Sequence, residues 1–302
     1  VSKRFFKSEK PIKGALAIFA LLSLIFLAGI LVTLLAQALP FLGEYPLGDF
    51  LTGESWRPTM EEPMFGMLPL LLSSLLVTAI ALVIAIPLSL GTAIFLAEVA
   101  PPWLRETVKP IIELLAGIPS VVFGFIGMVM IAPFLKDLFD LPVGLTALNA
   151  GIILAFMAYP TMASLAEDAI SSVPSDLREA SLALGSNRWE MMSRAVLPAA
   201  RNGIFQAILL GFGRIIGETM VVLMVAGGAA QMTINPLKPV RPITATIAAE
   251  QGEAVAGSLH LHSLFMLALL LFIITLAFNV LAEGIKQRND LSFKRNKKGA
   301  TL

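Results

Sequence analysis

Apolar runs long enough to cross a bilayer dominate the pattern of this chain. A helix needs about 20 apolar residues to span the hydrocarbon core. Six segments qualify, at residues 14–39, 68–97, 111–135, 149–166, 203–228 and 260–282. The third is interrupted by Gly117, Pro119, Gly124, Gly127 and Pro133, and the fourth is the shortest. The expected fold is therefore all-α, a polytopic membrane protein with six transmembrane helices.

Between the fourth and fifth spans the period changes. Leu177, Ala180, Ser181 and Leu184 recur at i, i+3, i+4 and i+7, which predicts a short helix with one small apolar face. Asp176 and Glu179 have the spacing of a capping box, and Gly185 suits a left-handed helix end. Asn187 with Glu190 starts a second short helix, predicted to stop near Pro198. The result is a hairpin of two amphipathic helices at about 171–200. It reads either as a lid on the membrane surface or as a protrusion that docks on a cytoplasmic partner.

Composition removes most chemistry. Apolar residues make up 57% of the 302 positions and charged residues 14%, against roughly 25% charged in soluble domains. A soluble protein with this composition could not cover its surface. With no cysteine, disulfides, thiolate metal sites and Cys nucleophiles are excluded. His260 and His262 are the only histidines, and they read as interfacial polar residues rather than ligands. No GxxxxGK[ST] stretch occurs, so the chain has no P-loop of its own. No catalytic residue, metal site or resident cofactor is expected.

Charge placement sets the topology. Basic residues favour cytoplasmic loops. The segments before the first span, at 98–110, at 167–202 and after the last span together carry 17 Lys and Arg, and the opposite loops carry four. Six crossings with both termini cytoplasmic follow. Lys3, Arg4, Lys7, Lys10 and Lys13 precede the first span, whose apolar run exceeds a signal-peptide core and reads as an uncleaved anchor. The division is a basic tail at 1–13, a six-span domain at 14–282 and a basic tail at 283–302. The long outer segments near 40–67 and 229–259 read equally as docking surface or as solvated loop.

Arg214 and Glu218 break the apolar pattern of the fifth span. Placing Arg or Asp at a helix centre costs roughly 2.5–3.5 kcal/mol on insertion scales. Four residues apart, the two share a helix face and are expected to pair. One reading is a structural ion pair. The other places Arg214 on a permeation path as the fixed cation for an anion, with Glu218 weakening its hold so that the anion can leave. Gly213 and Gly217, with Gly211, offer a thin surface for close helix approach. In the third span, Gly117, Pro119 and Gly124 read either as packing around a kink or as a broken helix lining a path.

Several strings carry a family resemblance. Glu179-Ala180-Ser181, Gly185 and Leu197-Pro198 have the spacing of the EAA motif of ABC importer membrane subunits, with Ser181 for the second Ala and Ala195 where Ile is usual. Gly213-Arg-Ile-Ile-Gly-Glu-Thr-Met220, Glu113-Leu-Leu-Ala-Gly-Ile-Pro-Ser120 and Ala93-Ile-Phe-Leu-Ala-Glu98 resemble the C-type membrane subunit of the bacterial phosphate ABC importer (PstC-like). The resemblance runs from about residue 40 to 282. It implies that the hairpin is the coupling helix, with Glu179, Ala180, Ser181, Gly185, Leu197 and Pro198 facing an ATPase. It also implies Arg214, Glu218, Thr219, Pro119 and Ser120 as substrate-pathway residues in a bacterial inner membrane. The implied partners are a sister permease subunit (PstA-like), an ATPase dimer (PstB-like) that holds ATP and Mg, and an extracytoplasmic phosphate-binding protein (PstS-like). The alternatives are an importer for another oxyanion, molybdate or sulfate, and a self-sufficient channel or ion-coupled carrier.

Overall fold

The computed structural model describes residues 9–299, with side chains described for residues 12–280 and Gly284. The flanking basic side chains, Lys3, Arg4, Lys7 and Lys10 at one end and Lys286, Arg288, Lys294, Arg295, Lys297 and Lys298 at the other, lie outside the described residues. The expected tails at 1–13 and 283–302 therefore rest mostly on positions beyond that description, although backbone helix covers 9–13 and 283–299.

The described residues are mostly helical. The helices are α1 (Glu9–Glu44), α2 (Leu47–Thr52), α3 (Leu68–Val99), α4 (Pro102–Ala116), α5 (Ser120–Leu138), α6 (Ala147–Ser171), α7 (Ser175–Ala183), α8 (Arg188–Ile216), α9 (Met220–Val225), α10 (Ile243–Glu250) and α11 (Leu259–Gly299). A two-residue hairpin pairs Trp56 with Phe65 and Arg57 with Met64. Six helices, α1, α3, α5, α6, α8 and α11, are long and apolar enough to span a membrane.

Two boundaries differ from the expectation. The third apolar run is two helices, because the turn at Gly117-Ile118-Pro119 separates α4 from α5. The fifth span begins at Arg188, since the helix does not stop at Pro198. Proline removes a donor and pushes on the carbonyl one turn back. Here a wider turn over Met192–Val196, closed by Leu197 N–H on Met192 O, lets the helix pass the ring. Similar wide turns precede Pro101 and Pro133.

α6 is the central helix, packed between α3, α4 and α8. Small residues are prominent where it packs on α3: Ala81 and Ala85 share one buried cluster with Ala150, Leu154 and Ala158. Small side chains let backbones approach where lipid offers no hydrophobic drive between helices. Gly211 of α8 serves the same end, since a Cβ there would sit 2.3 Å from Met162 Sδ. Gly213 has nothing within 4 Å, so the expected Gly213/Gly217 surface is not a packed one in this chain.

The outer segments fold onto this core. Phe41, Tyr45, Phe50, Trp56 and Phe65 form an aromatic cluster against α11. Buried Glu250 joins the two segments. Its carboxylate accepts from Trp56 Nε1 at 3.0 Å, pairs with Arg241 at 2.8 Å and lies 2.9 Å from His260 Nε2. His262 Nδ1 lies 2.7 Å from the carbonyl of Gln37.

Candidate functional site

Two helix breaks lie beside one another. One separates α4 from α5; the other, Gly217-Glu218-Thr219, separates α8 from α9, and α9 packs on α5. Arg214 is in the last turn of α8, half-buried. Its Nη1 donates to Thr161 Oγ1 of α6 at 2.8 Å, and its Nη2 to the carbonyl of Ala116, the last residue of α4, at 3.4 Å. The guanidinium thus sits at the C-terminal ends of two helices, where unsatisfied carbonyls leave partial negative charge. That environment reduces the cost of an arginine in an apolar span and fixes its direction.

Glu218 is held differently. It lies in the break, past the end of α8, so the i, i+4 helical geometry expected for the pair does not exist. No ion pair joins it to Arg214 among the described residues. Its Oε1 accepts from the backbone N–H groups of Met220 and Val221, at 3.1 and 3.3 Å, and caps α9. Its main-chain carbonyl accepts from Thr244 Oγ1 of α10 at 2.7 Å. Thr219 is half-buried, with its hydroxyl 3.4 Å from the carbonyl of Gly217. Pro119 is the exposed N-cap of α5, and Ser120 is its first residue. The first break thus ends on a backbone carbonyl that meets Arg214, and the reading of Gly117 and Pro119 as a helix break describes the observed geometry.

The hairpin is a second site. α7 has no buried residue, and Gly185 turns the chain at φ +87°, with open space around it. Asn187 and Glu190 form the expected capping box: Asn187 Oδ1 accepts from Glu190 N–H at 2.9 Å, and Glu190 Oε2 accepts from Asn187 N–H at 3.0 Å. The box expected at Asp176 does not form. α7 begins two residues earlier, at Ser175, with Pro174 as N-cap and Asp176 in the first turn, where its charge still favours the helix. Glu179 and Ala180 are exposed, half-buried Ser181 bonds Ser186 at 2.8 Å, Leu197 is half-buried and Pro198 exposed. Leu184 is 89% exposed and Trp189 69%, an apolar pair presented outward at the tip.

Two features were missed from sequence. Arg178 anchors α7 to the rest of the chain: it pairs with Glu98 at the end of α3 at 2.9 Å and donates to the carbonyls of Ile170 and Val173. Glu167 of α6 has a fully buried side chain. It pairs with Arg105 at 2.5 Å and Lys109 at 2.6 Å, both from α4, and accepts from Ser171 Oγ at 2.7 Å. Lys109 also pairs with Asp168. Burial alone would lower the Lys109 pKa, but its hydrogen bonds and charge interactions with Asp168 and Glu167 outweigh that and raise it. The signal was present in the i, i+4 spacing of Arg105 and Lys109, which had served only to orient the loops.

Six apolar helices, paired helix breaks around a fixed arginine and a capped, outward-facing hairpin define a polytopic membrane transport subunit. Residues 89–291 match the family of binding-protein-dependent transport system inner membrane components, and the chain belongs to that family. It is 33% identical to the probable ABC transporter permease protein YqgH of Bacillus subtilis, with 96% of each chain covered. It is 36% identical to the phosphate transport system permease protein PstC of Mesorhizobium japonicum, over 95% of this chain and 93% of that one. A solved bacterial alginate ABC transporter, in complex with alginate pentasaccharide-bound periplasmic protein, has the same fold. It superposes with TM-score 0.65 at 16% identity, covering 94% of this chain and 96% of that one.

Proposed function

We propose that this chain is the transmembrane permease subunit of an ATP-driven importer for inorganic phosphate. The observation that carries the reading is Arg214, held by Thr161 and by the end of α4 between two helix breaks, in a chain whose relatives include phosphate permeases. Arg214 would meet the anion. Glu218, which caps α9 instead of neutralising the guanidinium, would keep the local field from holding a multivalent anion too firmly. Thr219, Pro119 and Ser120 complete the same lining. The excess of basic residues on one set of loops supports a bacterial inner-membrane protein with both termini cytoplasmic.

The hairpin is the part that an ATPase partner would move. α8 starts in the hairpin at Arg188 and ends just beyond Arg214, so one helix of 29 residues, about 43 Å long, links the two sites. The Arg178–Glu98 pair ties the other hairpin helix to α3. Closure of a partner ATPase dimer on ATP would therefore shift α8 and α3 together and open the path outward. Hydrolysis would return it inward. ATP and Mg stay on that partner, and this chain contributes no catalytic residue. A sister permease subunit and an extracytoplasmic phosphate-binding protein complete the assembly, in the roles of PstA-like and PstS-like partners beside a PstB-like ATPase.

Uptake of phosphate into vesicles carrying this chain with those partners tests the reading. Uptake that needs ATP and resists molybdate and sulfate supports it. Uptake without ATP sinks the importer, and strong competition changes the substrate. The hairpin has its own test in Gly185→Pro. Proline fixes φ near −65°, whereas Gly185 is at +87°. The expected result is a fall in uptake of about 10-fold or more, the scale of 1–3 kcal/mol of backbone strain, with normal membrane insertion. Normal uptake in that variant would refute the coupling role.

A further inference from the structure

A small cavity adjoins Glu218. It has a volume of about 10 Å³ and is lined by Ser74, Thr78, Leu154, Ile215, Glu218 and Thr244, among others. Serines along α3 satisfy their hydroxyls locally. Ser73, Ser74 and Ser89 each donate to the carbonyl one turn back, at 2.6, 2.9 and 2.5 Å. Thr78 is 5% exposed and makes no hydrogen bond with any described residue. Across the cavity, Glu218 uses only Oε1 to cap α9, which leaves Oε2 without a described partner. Thr244 donates to the Glu218 carbonyl, so its hydroxyl oxygen can still accept.

We infer that the cavity is a one-water site that bridges Thr78 to Glu218, and that Thr78 is a positioning residue for that carboxylate. The volume is the least a water needs, and the polar groups number the usual three. The water accepts from the Thr78 hydroxyl and donates to Glu218 Oε2 and Thr244 Oγ1. The consequence is mechanical. Ser73 and Ser74 of α3 already receive the N–H groups of Arg241 and Ile243 at the start of α10, at 3.4 and 2.9 Å. With the water, α3 also sets the direction of Glu218, so a shift of α3 reaches the break beside Arg214. This role rests on the phosphate-importer reading of Glu218; the water site itself does not.

The test compares Thr78→Val, Thr78→Ala and Thr78→Ser in the assembled transporter, as phosphate uptake per complex. Valine keeps the volume and removes the hydroxyl, so uptake should fall about 5-fold. Alanine makes room for a second water that replaces the hydroxyl, so the loss should be smaller, about 2-fold. Serine should restore the wild-type rate. A packing role predicts the opposite order, with alanine worst. Valine as active as alanine, or serine as poor as valine, overturns the inference. If the wild-type complex moves no phosphate, the functional reading fails by itself. The water is then decided by an experimental density map of the complex. A peak within hydrogen-bond reach of Thr78 and Glu218, lost in Thr78→Val, supports it, and no peak in the wild type overturns it.

Discussion

Arg214→Gln is expected to lower phosphate uptake per assembled complex by about 100-fold, within the 2–5 kcal/mol typical of removing one partner of a buried charge contact. Glutamine stays polar but is two bonds shorter, so the substitution removes the fixed cation together with its contact to Thr161. The other contact, to the Ala116 carbonyl at the end of α4, is made by the second arm of the guanidinium. Arg214→Lys should therefore recover little, because a single ammonium does not reproduce the planar fork. The measurement is uptake normalised to purified complex. If complexes fail to assemble while the residual ones transport normally, Arg214 is a structural residue and the pathway assignment is wrong.

The second large effect concerns stability. Replacing Arg105 and Lys109 together by leucine leaves the carboxylate of Glu167 buried without a cation. Breaking a buried pair from one side typically costs about 3–5 kcal/mol. The expected outcome is a marked loss of folded protein and a lower melting temperature in detergent. Adding Glu167→Gln should restore most of it, since the neutral amide no longer needs a counter-charge. Failure of that third substitution to rescue would mean that the leucines act through packing instead.

The Lys109 pair also has a signature in pH. Its pKa is raised above the ordinary 10.5. The stabilisation is therefore fully present below that value and disappears as pH rises through the folded-state pKa. Thermal stability should fall in strongly alkaline buffer, and less so in Lys109→Leu. An unchanged alkaline profile in that variant would show that the pair does not govern it.

How much of this was legible depended on sequence distance. The Asn187–Glu190 box and the left-handed Gly185 could be read because three or four adjacent residues determine them. The helix break at Gly117-Ile118-Pro119 was visible as an interruption, although its two readings could not be separated by pattern. The passage of α8 through Pro198 was not legible, because local rules say that proline ends a helix and say nothing of a wider turn that accommodates it. The Arg214–Glu218 pair was expected for the same kind of reason: spacing of four implies one face only while the helix continues, and α8 ends at Ile216.

The sequence by itself determined six apolar crossings and a capped hairpin, since these follow from hydropathy and from hydrogen bonds between near neighbours. Tertiary structure alone decided which charges meet. Glu167 finds partners 58 and 62 residues away, Arg178 finds Glu98 at 80, and Trp56 finds Glu250 at 194. A buried charge or polar group must be satisfied wherever the packing places it. The helices that bring those partners together are set by packing such as that between α3 and α6, and even a local spacing such as that of Arg105 and Lys109 does not say which helix it will meet.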